Sequence, residues 1–474
     1  MTQLHPLPIG SERVTTDEEV VIRAPFDGQE LGRVPKGGPA EVEAAVQAAK
    51  NALAGEKLAA WQRAEILDAA SRRIGERNEE LARSIASEAA KPIKTARQEA
   101  QRAVGTFRFA AAEARTLTGE MIAMEGNVAG AGKLGFTLRV PIGVVGAISP
   151  FNFPLNLVSH KVAPAIAAGC PVVLKPASQT PLTALLLAEI LDDECGLPAG
   201  WLNVVTGGGG TVGNALVDHP DVAMITFTGS PPVGWGIKGR APRKKVGLEL
   251  GNNAPVIVEP DSDLELAATK IVAGGYAYSG QTCIAVQRVY VHDSVRDELV
   301  EQVVPRVEAL NVGDPLDDAT DVSALIAPSE RDRIVGWIDE ATGSGAKIAC
   351  GGQVRDEVLT PTVLTNVTPD MKVSTEEVFG PLIGIQGYNS LDEALALAND
   401  SRYGLQAAVF TRDLSAALKA AHALDFGGVT VNEMPTFRTD QMPYGGVKDS
   451  GNTKEGPHYA VREMTEERLV VIQL

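Results

Sequence analysis

The sequence predicts an α/β protein built on mostly parallel sheets, and two stretches carry that prediction. Between residues 142 and 228, short apolar runs alternate with helical patterns, and a second alternation of this kind extends from about 252 to 442. Strands covered on both faces by helices form continuous apolar runs, as in Ile142-Gly-Val-Val-Gly-Ala-Ile148. Because 474 residues exceed what one core usually holds, two large domains and an appendage are expected.

The region before residue 142 is predicted to start with short strands and turns over 11–36 and to continue as helices. Apolar residues recur at spacings of three and four, as at Ile66, Ala70 and Ile74, which indicates amphipathic helices. These helical patterns cover about 40–55, 58–89 and 92–117.

The first alternation predicts a parallel sheet whose ligands bind beyond the carboxyl ends of its strands. Helices are expected at 154–168 and after Thr180-Pro181, where proline suits a first helical turn. The strands are predicted at 142–148, 172–175, 202–205 and 223–228.

The second alternation and two ribbon-like pieces complete the chain. The pieces 120–141 and 467–474 have the pattern of β ribbons, and an exposed apolar edge strand invites pairing with another chain. We therefore expect them to build a homodimer or homotetramer. The strands of the second alternation are predicted at 255–258, 286–292, 382–388, 407–411 and 428–432.

Composition excludes several classes of protein. The chain has 60 acidic and 43 basic residues, so its formal charge is −17, whereas a nucleic-acid partner calls for a basic stripe. No apolar run reaches the roughly 20 residues of a membrane helix, and the first ten residues lack the pattern of a secretory signal. Four scattered cysteines and six histidines without metal-ligand spacing favour a reducing, cytoplasmic location and no bound metal.

The chemistry is predicted to centre on Cys283 and Glu249. Cys283 follows a glycine-containing turn and precedes an apolar run that begins at Val286, and a loop–strand junction leaves a thiol accessible. Glu249 lies in an otherwise apolar run, where burying a carboxylate is costly unless it is paired or used. Together they indicate covalent catalysis, with a thiolate that attacks and a base that activates water.

Asn152 is a candidate oxyanion donor. It stands in Ser149-Pro-Phe-Asn-Phe-Pro154, directly after a predicted strand. An asparagine in a proline-rich turn is more often only a turn former. A thiolate that attacks a carbonyl, however, creates an oxyanion that needs rigid donors, which the Asn152 amide and the backbone N–H of Cys283 can supply.

Three strand ends are candidate nucleotide contacts. Lys175 and Ser178 follow one strand, although strand-end lysines are usually only solvated. Glycine-rich segments at 207–213 and 227–234 follow the next two strands, and Ser230 has the position of a helix N-cap whose helix could bind a pyrophosphate. Each segment alone is more often a simple turn, and the Gly-x-Gly-x-x-Gly fingerprint is absent.

Seven motifs in chain order resemble the aldehyde dehydrogenase superfamily over essentially the whole chain. They are Pro150-Phe-Asn-Phe-Pro154, Lys175-Pro176, Phe227-Thr-Gly-Ser230, Leu248-Glu-Leu-Gly251, Gly280-Gln-Thr-Cys283, Glu376-Glu-Val-Phe-Gly-Pro381 and Pro443-Tyr-Gly-Gly-Val-Lys448. The resemblance implies a Rossmann-variant cofactor domain without the glycine fingerprint, an α/β catalytic domain and a β-ribbon oligomerisation arm. Their implied bounds are 1–119 with 142–250, then 251–442, and finally 120–141 with 460–474.

The resemblance also implies the roles of the catalytic residues. Cys283 is expected to form a thiohemiacetal and then a thioester, Asn152 to hold the oxyanion, and Glu249 to activate the water that releases a carboxylic acid. Two alternatives stay open: a CoA-acylating dehydrogenase, whose members generally lack a glutamate at position 249, and a non-catalytic structural protein of the same fold.

The expected cofactor is NAD or NADP. By resemblance, Lys175 contacts the adenosine ribose, Ser230 the pyrophosphate, Glu377 the nicotinamide ribose and Phe379 the nicotinamide ring. In NAD-preferring relatives a glutamate often stands at position 178, so Ser178 predicts that NADP is accepted beside NAD. The site is further expected to include Gly207, Gly213, Phe227, Gly229 and Leu250.

The substrate is expected to be a neutral aliphatic or aromatic aldehyde. The tail 437–448 resembles a branch holding lactaldehyde, non-phosphorylating glyceraldehyde-3-phosphate and phosphonoacetaldehyde dehydrogenases. Phosphonate-oxidising members have basic residues where this chain has Thr282 and Phe153. The sequence leaves the role of Arg438 open, and His160 is equally well a helix histidine with satisfied hydrogen bonds. The predicted tunnel residues are Phe153, Asn156, His160, Thr282, Ile284 and Tyr444.

Overall fold

Two sheets, one of five and one of seven strands, form the centre of the molecule. The computed structural model describes residues 3–55 and 57–474, so residues 1, 2 and 56 of the predicted first domain lie outside the described residues. In the described part of the chain, no helix is both long enough and apolar enough to cross a membrane. The sheets are mostly parallel, which confirms the predicted α/β class.

The N-terminal region contributes four helices, of which the first contacts strands of the five-stranded sheet and the other three pack mainly on helices. The helix predicted over 58–89 is two helices, because Arg77 leaves the helical region at φ −98° and ψ 20° and donates hydrogen bonds to Glu80, Glu189 and Glu194. Strands β1 to β4 span Leu7–Ile9, Glu12–Val14, Glu19–Arg23 and Glu30–Pro35, and helices α1 to α4 span Pro39–Ala54, Ala60–Glu76, Asn78–Ala89 and Ile93–Thr116.

The ribbon strands β5 and β6 follow, at Met121–Ile122 and Lys133–Pro141. The five-stranded sheet comes next and is parallel throughout, in the order β11-β10-β7-β8-β9. Its strands β7 to β11 span Val144–Ile148, Val172–Lys175, Leu202–Val204, Val222–Thr228 and Lys245–Glu249, and helices α5 to α8 span Asn156–Ala168, Leu182–Glu189, Asn214–Asp218 and Pro231–Arg240.

The seven-stranded sheet has the order β14-β17-β18-β13-β12-β19-β20, and only β14 is antiparallel to its neighbour. Its strands β12 to β14 span Pro255–Val258, Arg288–His292 and Lys347–Cys350, and β17 to β20 span Thr362–Thr365, Leu382–Tyr388, Gln406–Phe410 and Gly428–Val431. A small hairpin, β15 and β16, spans Val354–Arg355 and Val358–Leu359. Helices α9 to α14 span Leu264–Tyr276, Arg296–Glu308, Pro328–Gly343, Lys372–Thr375, Leu391–Asn399 and Leu414–Ala423.

The two ribbon pieces form one three-stranded sheet. Helix α15, Pro457–Glu463, leads into strand β21, Thr465–Gln473, which pairs antiparallel with β6 along its whole length, and β5 completes the sheet. Leu138, Leu469 and Val471 remain exposed on this sheet. Along the chain, the strands of the five-stranded sheet precede residue 250 and those of the seven-stranded sheet follow it. The division into domains stays a prediction.

Loops at the carboxyl ends of β7 and β11 and the turn that follows helix α9 position the candidate site. Strand β7 ends just before the Asn152 loop, and strand β11 ends at Glu249. Helix α9 ends at Tyr276, and the turn that follows leads to Cys283. The predicted residues therefore come from both large sheets.

Candidate active site

The loop that presents Cys283 is held in a strained turn. Tyr278 and Ser279 have φ of 49° and 53°, a left-handed conformation that is costly for non-glycine residues. The Tyr278 hydroxyl donates to the carbonyl of Ala89 at 2.8 Å, and the Ser279 hydroxyl donates to that of Ser323 at 2.9 Å. These bonds fix the turn, because each hydroxyl anchors it to a different part of the fold.

Cys283 and Asn152 line the same cleft, which has a volume of about 420 Å³. One N–H of the Asn152 amide donates to the carbonyl of Gln281 at 3.0 Å, which ties the Asn152 loop to the Cys283 loop. A carboxamide nitrogen carries two donors, so the second N–H is available for another acceptor. The arrangement has the components of an oxyanion site.

Predicted nicotinamide contacts line the same cleft. Glu377 and Phe379 lie on it together with Leu250, Gly229 and Ser230. Burial raises the pKa of Glu377 to about 7, and its carboxyl accepts the backbone N–H of Asn252 at 2.9 Å.

The adenosine end of the predicted cofactor site is formed by the loops after β8 and β9. Lys175 is buried, its ammonium donates to the Pro176 carbonyl at 2.8 Å, and burial lowers its pKa to about 8. Ser178 is exposed and donates to the carbonyl of Gly207 at 3.0 Å, while Gly213 faces the side chain of Lys175. A polar cradle at strand ends and an apolar cleft next to the thiol fit a dinucleotide.

Phe227 and Ser230, two other predicted cofactor residues, lie at the carboxyl end of β10 and at the start of α8. Phe227 lies under Gly229, where an added Cβ would come within 2.5 Å of the ring. Ser230 occupies the N-cap position of α8, but its side chain makes no capping hydrogen bond to any described residue. Pro231 and Pro232 fill the first two helical positions and have no N–H to donate, which leaves Val233 as the first possible donor to a cap.

Glu249 is buried at the end of β11 without a hydrogen-bond partner for either carboxyl oxygen among the described residues. Burial, followed by the charge of Glu455, raises its pKa well above the usual value, and Arg438 and Lys161 oppose that rise. Gly445 lies against it, since an added Cβ there would come within 2.6 Å of Oε1. An unpaired buried carboxyl is costly, which is typical of a group kept for chemistry.

The predicted tunnel residues occupy four different places. Tyr444 places its hydroxyl 2.7 Å from Sγ of Cys283, and Ile284 packs beside both. Phe153 packs against the ammonium of Lys91, at 3.6 Å from the ring centre. Thr282 lines a small crevice. Of these four side chains, Tyr444 is the one that hydrogen bonds with the thiol in the described chain.

Asn156 and His160 belong to a buried polar cluster around Asp440. The Asp440 carboxylate accepts from the Asn156 amide at 3.2 Å, from Arg102 at 2.9 Å and lies 3.1 Å from Nε2 of His160. The hydrogen bond from His160 and the charge of Arg102 outweigh burial and lower the pKa of Asp440 below its usual range. Nε2 of His160 has its partner in this cluster, whereas Nδ1 has none among the described residues.

Sequence reasoning missed most of the charges next to this cluster. Arg438 donates to Glu455 at 2.8 Å and lies 3.8 Å over the ring of Tyr444, while Lys161 lies 3.4 Å from the same carboxylate. Arg102 sits in α4, whose pattern indicates only helix packing, so no local signal marks it.

Comparison with known proteins agrees with this geometry. The model of the Aldehyde dehydrogenase family matches residues 13–470. The 3-sulfolactaldehyde dehydrogenase of Priestia megaterium is 45% identical over 468 residues, which cover 99% of this chain and 98% of that protein. The lactaldehyde dehydrogenase of Methanocaldococcus jannaschii is 39% identical over 459 residues, which cover 96% and 97%.

Solved structures are similar over the full length. The NADP-dependent glyceraldehyde-3-phosphate dehydrogenase of Bacillus halodurans, complexed with NADP, superposes with a TM-score of 0.95 at 40% identity and covers 99% of each chain. Aldehyde dehydrogenase 21 of Physcomitrella patens, in complex with succinate, gives 0.96 at 37% identity, over 100% of this chain and 99% of that one.

The chain belongs to the aldehyde dehydrogenase family. It is an NAD(P)-dependent enzyme that oxidises an aldehyde. Among residues 3–55 and 57–474, no group of three or more His, Cys, Asp and Glu side chains is arranged to hold a metal ion.

Proposed function

We propose that this enzyme converts a small aldehyde to a carboxylic acid by a hydrolytic route through Cys283. The observation that carries the proposal is the buried, unpaired carboxyl of Glu249 among the charges around Cys283. A base is needed only if water must be activated, so Glu249 favours hydrolysis over transfer of the acyl group to CoA.

The proposed chemistry uses three side chains. The Cys283 thiolate forms a C–S bond to the aldehyde carbon, while the free N–H of Asn152 and the backbone N–H of Cys283 hold the oxyanion. Bound NAD(P) supplies the acceptor for the hydride that this carbon loses. Glu249 then takes a proton from water, the water oxygen bonds to the thioester carbon, and the C–S bond breaks to release the acid and the thiolate.

The test combines a variant with product analysis. We expect Cys283→Ala to lose reduction of NAD(P) while keeping the fold, and wild type to form free acid with or without CoA. Turnover by Cys283→Ala would exclude the thioester route, and an acyl-CoA product would favour the acylating alternative.

For the substrate, the structure supports a second candidate beside the neutral aldehyde expected from sequence. The Nε atoms of Arg102 and Arg438 are buried without acceptors among the described residues. Both arginines and Lys161 also form ion pairs with Asp440 or Glu455, and the two unpaired N–H groups favour an aldehyde that carries an anionic group. One relative is named for 3-sulfolactaldehyde, and others for lactaldehyde.

A matched pair of aldehydes separates the two candidates. Lactaldehyde and 3-sulfolactaldehyde differ by a sulfonate, so we expect kcat/KM to favour the sulfonated compound in wild type. Arg102→Gln should reduce that preference roughly tenfold or more, since one charged hydrogen bond is lost. Equal kcat/KM for both aldehydes in wild type would reject the anionic candidate and favour a neutral aldehyde as substrate.

For the cofactor, we propose that NADP is accepted beside NAD. Ser178 is exposed at the end of β8 and carries no charge that would repel a 2′-phosphate. A solved relative is complexed with NADP.

We also propose a cytoplasmic homo-oligomer, either dimer or tetramer, assembled through the exposed apolar side chains on β6 and β21. Light scattering after size exclusion should give a multiple of the 49.8 kDa chain. Leu469→Lys should shift the enzyme toward monomer, because a charge would be buried in the interface.

A further inference from the structure

We propose that Tyr444 is a catalytic residue whose phenol donates a hydrogen bond to the Cys283 sulfur and stabilises its thiolate. The inference rests on the proposed role of Cys283 as nucleophile. The Tyr444 oxygen lies 2.7 Å from Sγ, and the tyrosine is almost fully buried. Its backbone is fixed by two hydrogen bonds with Glu455, at 3.1 and 2.6 Å, so the phenol is rigidly placed.

The direction of the hydrogen bond follows from the surroundings of the phenol. Burial raises the pKa of Tyr444 well above 10, so it keeps its proton at any working pH and acts as the donor to a thiolate. The guanidinium of Arg438 lies 3.8 Å from the ring centre and is anchored by Glu455. A cation over the ring draws electron density from the phenol and makes the O–H a stronger donor.

The other ionisable groups around the thiol act in opposite directions. Glu249 and Glu377 disfavour a negative sulfur, and Arg438 is the cation that favours it. Although part of Cys283 is accessible, burial raises the pKa of the thiol to about 12, and the Tyr444 hydrogen bond acts in the opposite direction. Since the thiolate is the nucleophile, the hydroxyl increases the reactive fraction of Cys283 without itself exchanging a proton with the sulfur.

Tyr444→Phe removes only the oxygen and keeps the ring under Arg438. The measurement is the rate of Cys283 alkylation by iodoacetamide as a function of pH, with the burst of reduced cofactor as a second readout. We expect the kinetic pKa of the thiol to rise by about one unit and alkylation at neutral pH to slow on the order of tenfold. Tyr388→Phe, which removes a buried hydroxyl in β18 that bonds to the Val258 carbonyl, is the matched control and should leave both rates unchanged.

Two outcomes would overturn the proposal. An alkylation profile identical to wild type would show that the hydroxyl does not stabilise the thiolate, and faster alkylation would show that it restrains the thiol in an unreactive position. In parallel, Cys283→Ala tests the proposed function itself. If Cys283→Ala still turns over, Cys283 is not the nucleophile and the proposed function fails. If Cys283→Ala is inactive but Tyr444→Phe keeps the wild-type alkylation profile, only the role of Tyr444 is rejected.

Discussion

The ammonium group of Lys91 lies 3.6 Å from the centre of the Phe153 ring and 4.4 Å from that of Tyr278. Phe153 directly follows Asn152, and Tyr278 begins the strained turn that leads to Cys283. One buried cation therefore contacts both loops of the candidate oxyanion site. Cation–π contacts are stronger when they are removed from water, as they are here.

Replacing Lys91 should lower the stability of the folded enzyme. Lys91 forms a fully buried ion pair with Glu99, whose carboxylate accepts the N–H groups of Leu155 and Asn156. Lys91→Met leaves that carboxylate uncompensated, so we expect a loss of roughly 3–5 kcal/mol in the free energy of unfolding. Lys94→Met, which breaks a partly exposed pair with Asp321, should cost only about 0–1 kcal/mol in the same denaturant titration.

Asn152→Ala should lower turnover by about 10²–10³-fold, as expected when one oxyanion donor is removed. The loss should appear in kcat and in the burst of reduced cofactor, because the first tetrahedral intermediate needs the donor. Asn51→Ala, on the exposed face of α1, is the control. Turnover close to wild type would remove Asn152 from the mechanism.

Glu249→Gln should permit one turnover and then stall. An amide cannot take a proton from water, so the thioester should accumulate after a fast burst of about one equivalent of reduced cofactor per active site. Stopped-flow fluorescence measures the burst, and mass spectrometry of the quenched enzyme measures the acyl group. Unchanged steady-state turnover would show that another group activates the water.

The pH dependence of turnover should also report Glu249. Burial raises its pKa well above that of an ordinary glutamate, so the basic form is present only above that raised pKa. Steady-state turnover limited by hydrolysis should therefore fall as the pH decreases through a value above that of an ordinary glutamate. The burst phase does not need this base, so its rate should not show the same decrease at low pH. If the burst rate shows that decrease too, the titrating group is not Glu249.

Ser178→Glu should reduce kcat/KM with NADP far more than with NAD. The new carboxylate would repel a 2′-phosphate at an exposed position that has room for it. Ser178→Gln adds similar bulk without charge, so it should keep most of the NADP activity. Equal losses with both cofactors would show that position 178 does not contact the ribose.

Much of the fold was predictable because it is encoded locally. The strands at Val172–Lys175, Pro255–Val258 and Leu382–Tyr388 have the predicted bounds, since each is a short apolar run between turn signals. The break at Arg77 was not predictable, because the apolar period continues through it and only the contacts of Arg77 with distant glutamates hold it.

The site divides in the same way. Cys283, Asn152 and Glu249 were proposed from motifs: Asn152 and Glu249 stand at or just after the end of a strand, and Cys283 follows a glycine-containing turn. The pair of Arg102 and Asp440 joins positions that are 338 residues apart, and no local pattern connects them. Tyr444 was predicted near the substrate, but its contact with the nucleophile depends on how the tail returns to the cleft.

Glu249 ends a strand of the five-stranded sheet, whereas Cys283 is presented by a turn that adjoins the seven-stranded sheet. The proposed base and the proposed nucleophile therefore come from different halves of the molecule, one built on each sheet, and can act together only while these halves remain docked. Activity should therefore disappear at a lower denaturant concentration than the helical circular dichroism signal, since separation of the halves requires less unfolding than loss of either core. Neither half expressed alone should oxidise an aldehyde, and mixing the two refolded halves becomes a direct assay of how tightly they associate.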